Sequence, residues 1–148
     1  MNQYRYYKNL LRSRYNYLGK IIVHPKKIRG LIKNSGSTIF SVDEISLASA
    51  DSTKKTIHLH GYQEIIKIKG WIFIEPEKKH GDQVYCKINH LIFKTKNHIY
   101  RQDVANLHNT NSYLYSGFEM VFPSIILNEG KNTLSLIAVS DAAHTCYE

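Results

Sequence analysis

The chain is poor in the residues that usually advertise chemistry. Its 148 residues include two cysteines, three prolines and one tryptophan. No apolar run approaches the roughly 18 residues that a membrane-crossing helix needs. Charges recur throughout the N-terminal stretch, so no secretory signal is read there and the cytoplasm is the expected compartment. Cys86 and Cys146 stand 60 positions apart, a spacing compatible with one disulfide that demands none; in the cytoplasm both are expected as thiols. Cys86 shares its alternation with Val84 and Ile88, which predicts a buried thiol. A glycine-rich phosphate loop, a Gly-x-Ser-x-Gly elbow, a His-Glu-x-x-His pair and a Cys-x-x-Cys pair are all missing. No nucleophile, acid–base pair or cofactor motif can be assembled, so the expectation is a protein that is not an enzyme and needs no cofactor.

Acidic residues are absent from positions 1–33, which carry Arg5, Lys8, Arg12, Arg14, Lys20, Lys26, Lys27, Arg29 and Lys33. The remaining residues hold 11 bases against 12 acids, so the whole formal charge of +8 originates in this arm. Leu11, Tyr15, Leu18 and Ile22 recur at helical spacing, predicting an amphipathic helix over Asn2–Val23 that Gly19 weakens and Pro25 ends. Asn34-Ser35-Gly36-Ser37 reads as a linker, placing a boundary between an arm (1–36) and a domain (37–148). Such an arm suits packing on the domain or on a partner. It also suits adsorption to the anionic inner face of a membrane, where each base adds about 1 kcal/mol. A nucleic-acid tail, marked by strong salt dependence, is the least favoured of the three.

From Ile39 the period changes to alternation. Strands are predicted at Ile39–Leu47, Lys55–His60, Glu64–Ile74, Gln83–Ile88, Leu91–Thr95, Ser112–Phe122, Asn132–Val139 and near His144–Tyr147. Polar or turn-forming stretches separate them, among them Pro76–Gly81, Asn106–Asn111 and Asn128–Gly130, and Asn89-His90 has the form of a tight hairpin turn. Short strands at this spacing imply an all-β fold, an antiparallel β-sandwich of immunoglobulin-like or jelly-roll type, preceded by the basic helical arm.

Five strings then stand out in order: Gly70-Trp71, Arg101-Gln102-Asp103-Val104-Ala105, Ser116-Gly117-Phe118, Leu127-Asn128-Glu129-Gly130 and Thr133-Leu134-Ser135-Leu136. Together they resemble a bacterial β-sandwich accessory domain found beside glycosyltransferases and other surface-polysaccharide proteins. In that family the pattern runs Gly-Trp-Ala, Arg-Pro-Asp-Val, Gly-Phe and Leu-x-x-Gly. This chain departs from it with Gln102 in the proline position and Ile72-Phe73-Ile74 where Ala-x-Asp is common. The resemblance implies a non-catalytic recognition module whose partner is a glycan or a polysaccharide-processing protein. The alternative is a scaffold held at an anionic membrane surface by its arm.

Alternation places Trp71 on the face of Lys67 and Lys69, opposite Ile66, Ile68, Ile72 and Ile74, unless a bulge at Gly70 shifts the register. An exposed Trp71 would be a stacking platform for a sugar; a buried one would be core. Tyr113, Tyr115, Asn109 and Asn111 are the other candidate glycan contacts. Trp71 is also expected to cover the side-chain gap at Gly117. Arg101 and Asp103 read as a turn staple rather than a catalytic pair. His58 and His60 share a strand face but lack a third ligand, so no metal is expected.

Overall fold

In the computed structural model, the residues described are 5, 9, 22–24, 26–29, 32–33, 38–47, 65–141 and 145–147. The expected strand over 55–60, with His58 and His60, lies outside them, as do Lys8, Arg12, Arg14 and Lys20. The described chain is all-β, mostly antiparallel, and organised as two sheets. The elements run β1 (Ile22–Val23), α1 (Lys26–Arg29), β2 (Ile32–Lys33), β3 (Thr38–Leu47), β4 (Ile65–Ile74), β5 (Gln83–Ile88) and β6 (Leu91–Lys94), then β7 (Lys96–Ile99), α2 (Gln102–Leu107), β8 (Gly117–Pro123), β9 (Leu134–Ser140) and β10 (Thr145–Tyr147). A six-stranded sheet has the order β1-β6-β5-β9-β10-β2, and a four-stranded sheet the order β3-β4-β8-β7.

The β4 sequence shows why the sheets associate. Its residues alternate, and Ile66, Ile68, Ile72 and Ile74 turn to one face, where they meet Phe118, Met120 and Phe122 of β8. From the other sheet come Val84, Cys86, Ile88, Leu91, Phe93, Leu136, Ala138 and Tyr147. Each such side chain taken fully from water contributes about 1.5–3 kcal/mol, so this shared core is the main source of cohesion. The Asn89-His90 turn forms as expected, with Asn89 at φ 55° and its amide bonded to Asn132 and Thr133.

One strand in effect serves both sheets. β6 and β7 are separated only by Thr95, whose hydroxyl donates to the Val84 carbonyl at 2.7 Å and fixes the corner where the chain changes sheet. The sequence reading ended a strand there and missed β7. It also extended β8 too far upstream: residues 111–113 form a 3-10 turn, and α2 occupies what reads as a loop. Residues 102–107 have no 3.6-residue apolar stripe; only Val104 and Ala105 are buried, so tertiary packing selects this short helix.

The N-terminal region also departs from expectation. Arg5 and Asn9 are helical and exposed, but Ile22–Val23 is a strand paired with Phe93 and Ile92, not the end of a helix. Two β-branched residues at a sheet edge gain more from pairing than from helical periodicity. Ile28 of α1 packs with Val23, Tyr85, Ile92, Ile137, Val139 and Cys146 on the outer face of the six-stranded sheet. β2 then pairs in parallel with β10 at the opposite edge. Strands of one sheet thus lie on both sides of the boundary expected after residue 36.

Cys86 and Cys146 are buried on opposite faces of that sheet, in different clusters, and neither is in a disulfide. β9 lies between their strands, and Cys86 and Cys146 pair with it at Leu136 and Val139, three residues apart. They are about 14 Å apart, beyond the roughly 7 Å limit for Cα atoms joined by a bridge.

Candidate functional site

The outer face of the four-stranded sheet divides into two halves. Towards one end of β4, Trp71 and Phe73 are covered by α2 and the 3-10 turn, packing with Val104, Ala105 and Tyr113. Tyr113 is stacked between Phe73, at 3.8 Å between centroids, and His108, at 4.2 Å, while Trp71 meets both Tyr113 and His108 edge-on. The Tyr113 hydroxyl donates to Glu75 at 3.2 Å. Trp71 is 7% exposed and Tyr113 4%, so neither ring offers a platform to a ligand. The alternation reading placed Trp71 correctly on the lysine face, and β4 keeps its register across Gly70. Burial comes instead from the segment between β7 and β8, which folds over that face.

The glycine expectation is corrected too. Trp71 lies opposite Gly117 in the β4–β8 pairing, yet the space at Gly117 is occupied by Ile99 and by the Arg101 side chain. An aromatic ring does sit over a strand glycine, but the pair is Phe118 over Gly70.

Towards the other end the same face is charged and open. A cleft of about 290 Å³ is lined by Asp43, Glu44, Lys69, Ile99, Arg101 and Glu119, with Gly70 and Phe118 at its floor. It exists because β3 carries a bulge: the register with β4 shifts between Val42 and Glu44, leaving Asp43 unpaired and re-aimed. Asp43 accepts from Arg101 Nη1 at 2.7 Å, while Nε and Nη2 of Arg101 donate to the two oxygens of Asp103 at 2.8 and 2.6 Å. The bonds to Asp103, with those to Asp43, raise the guanidinium pKa against the opposing effect of burial. The two bonds from Arg101 hold the Asp103 carboxyl down at about 2. Arg101 and Asp103 thus form the staple read from the sequence, with Asp43 as a third member that spacing could not reveal.

Lys69 lies between Glu44, at 3.8 Å, and Glu119, at 3.7 Å, and Lys67 approaches Glu44 at 3.7 Å. Glu44 also accepts from the Ser46 hydroxyl at 2.6 Å, a bond that lowers its pKa more than burial raises it, with Lys69 and Lys67 adding to the effect. The cleft is therefore a ready-made set of planar acceptors and cationic donors.

Beyond Arg101, Tyr100 and Tyr115 meet edge-to-face at 5.8 Å and are 55% and 50% exposed. Of the candidate glycan contacts, Tyr115 is thus on the surface, as are Asn109 and Asn111, whereas Trp71 and Tyr113 are inside. Tyr100, Asp43, Glu44, Lys69 and Glu119 were not singled out from the sequence. Alternation put Lys69 on the Trp71 face and chain position put Tyr100 beside Arg101, but neither signal pointed to a cleft.

A second polar group is centred on Glu77 and Lys79. Glu77 accepts from Ser140 and Tyr147, each at 2.7 Å, and pairs with Lys79 at 3.1 Å; Lys79 also pairs with Asp82. Burial opposes ionisation of Glu77, but these donors outweigh it and lower its pKa. His80 and His98 lie edge-on at 4.7 Å, each within hydrogen-bonding distance of the Gly81 carbonyl. This group ties the Glu75–Gly81 loop to β9 and β10. Among the described residues, no three His, Cys, Asp or Glu side chains are placed to hold a metal ion, and no helix is long and apolar enough to cross a membrane.

No family model, curated protein or solved structure matches this chain.

Proposed function

We propose that the protein is a non-catalytic recognition module, of immunoglobulin-like or jelly-roll sandwich type, that binds a glycan on the outer face of its four-stranded sheet. The observation that carries the reading is the cleft beside Arg101, with the exposed Tyr100–Tyr115 pair beyond it. Sugars are held by aromatic faces against their C–H surfaces and by planar polar side chains against adjacent hydroxyls. Both kinds of group occur around Arg101: it lines the cleft, and Tyr100, its chain neighbour, pairs with Tyr115. Arg101 is held by two carboxylates, so the wall it gives the cleft is set before a ligand arrives and less ordering entropy is lost on binding. The sequence resemblance supplies the setting, a partner or substrate of bacterial surface-polysaccharide synthesis.

Titration of the full chain against a panel of bacterial polysaccharides tests this reading. Tyr100→Ala and Tyr115→Ala should each weaken binding by roughly 5- to 10-fold, the cost of losing an interfacial aromatic, with little change in melting temperature. A panel in which nothing binds would overturn it.

A second reading rests on the one-sided charge of residues 1–33: a scaffold peripheral to the inner membrane face. Pelleting with phosphatidylserine vesicles, reversed by salt and lost when Arg5, Lys8, Arg12 and Arg14 are changed to Gln, would favour it over glycan recognition.

A further inference from the structure

We infer that the cleft beside Arg101 selects uncharged, hydroxyl-rich sugars and turns away acidic ones, an inference that rests on the glycan reading above. Its two cations differ in what they can offer. Arg101 gives Nε, Nη1 and Nη2 to Asp43 and Asp103 at 2.6–2.8 Å, so its charge is already committed. Lys69 is 42% exposed and stands 3.7–3.8 Å from its two carboxylates, beyond hydrogen-bond length. Lys69 is therefore the cation in the cleft with room for a ligand.

The groups flanking Lys69 decide what that ligand can be. A sugar hydroxyl accepts from the Lys69 ammonium through its oxygen and donates its proton to Glu44 or Glu119. It converts two loose ion pairs into a bridged set of hydrogen bonds. A carboxylate, sulfate or phosphodiester has no proton to donate at neutral pH and would meet Glu44 and Glu119 at close range. Like-charge juxtaposition of this kind is a standard means of rejecting a wrong partner. Among the residues lining the cleft, Asp43, Glu44 and Glu119 face Lys69 and Arg101, three carboxylates against two cations.

The basic arm could itself attract polyanions, so the experiment counts only binding that depends on the cleft. The full chain and its Lys69→Met variant, which keeps the aliphatic stem, are titrated by calorimetry with dextran and mannan as neutral probes. Polygalacturonate and polysialic acid serve as acidic ones. The expected result is Lys69-dependent binding of a neutral probe, at least roughly tenfold tighter than any Lys69-dependent binding of the acidic probes and little changed between low and moderate salt. In the Glu44→Gln/Glu119→Gln variant that preference should narrow. Acidic probes binding more tightly in a Lys69-dependent way would overturn the selectivity and leave the glycan reading standing. Absence of Lys69-dependent binding by all four would overturn this inference. The glycan reading itself falls only if the wider polysaccharide panel also fails with the unaltered protein.

Discussion

Asp43 and Arg101, 58 residues apart in the chain, meet at 2.7 Å across the outer face of the four-stranded sheet. The bulge in β3 brings the acid there and the β7–α2 junction brings the base. Their contact joins the edge strand β3 to the segment that buries Trp71, so the charged cleft and the aromatic cluster depend on one ion-paired junction.

That junction gives a defined pH dependence. Hydrogen bonds from Arg101 hold Asp103 at about 2 against an ordinary value of 3.8. A depressed carboxyl stabilises the fold fully above its unfolded value and loses that contribution as pH falls through its folded one. Asp103→Asn should therefore cost stability near neutrality, by less than about 1 kcal/mol because the pair is solvent-screened. The gap to the unaltered protein should shrink from about pH 4 and vanish below about pH 2. Urea unfolding from pH 6 to pH 1.5 reads it; a gap that persists at pH 1.5 would refute the assignment.

The strand glycines differ in a way that mutation will separate. A Cβ at Gly70 would stand 2.1 Å from the Ser41 carbonyl oxygen and 3.0 Å from the Phe118 ring. Backbone cannot yield there, so Gly70→Ala should cost about 3 kcal/mol or more, or prevent folding. At Gly117 the nearest atom is the Ile99 carbonyl oxygen at 2.8 Å, followed by Arg101 Cγ and Ile99 Cβ at 2.9–3.0 Å. Gly117→Ala is therefore also strained but should cost less than at Gly70, where the backbone oxygen lies at 2.1 Å. Gly130→Ala meets no atom, but its φ of +81° should cost about 1 kcal/mol. Thermal unfolding should rank them in that order.

Trp71 is a built-in reporter. Selective excitation should give a blue-shifted emission protected from iodide, because the indole is enclosed by Tyr113, His108 and Val104. Trp71→Ala should destabilise by about 3–5 kcal/mol, as expected for a large core aromatic. Addition of a bound glycan should leave the emission nearly unchanged, since the proposed contacts are Tyr100 and Tyr115. A red-shifted, quenchable emission would contradict the packing.

Ile28 should be worth more than its place in a basic segment implies. It is 8% exposed and packs on Tyr85, Ile92, Ile137 and Val139. Ile28→Asp should destabilise by about 3 kcal/mol, whereas Lys26→Gln, at an exposed site, should change stability by less than about 0.5 kcal/mol. Equal effects from both would show that the segment does not cover the sheet.

The all-β class was legible in the sequence because a strand's period of two is local. Each of Ile66, Ile68, Ile72 and Ile74 declares its face through its neighbours, and Asn89-His90 declares its turn through Asn's tolerance of positive φ. The Arg101–Asp103 staple was legible for the same reason, the two residues being two apart. What covers an outer face is not local. Trp71 reads as exposed or buried according to a segment some thirty residues on, and α2 has too few apolar residues to announce itself. Ile22–Val23 carries a helical period and is nevertheless a strand, because Phe93 and Ile92 offer it an edge. Asp43 and Lys69 became cleft residues only when a bulge and a sheet placed them beside Arg101. Alternation within one strand determined the layers of this protein. Contacts between distant segments decided its surface, because each sheet has two faces and the chain must be folded before it is settled which of them stays open.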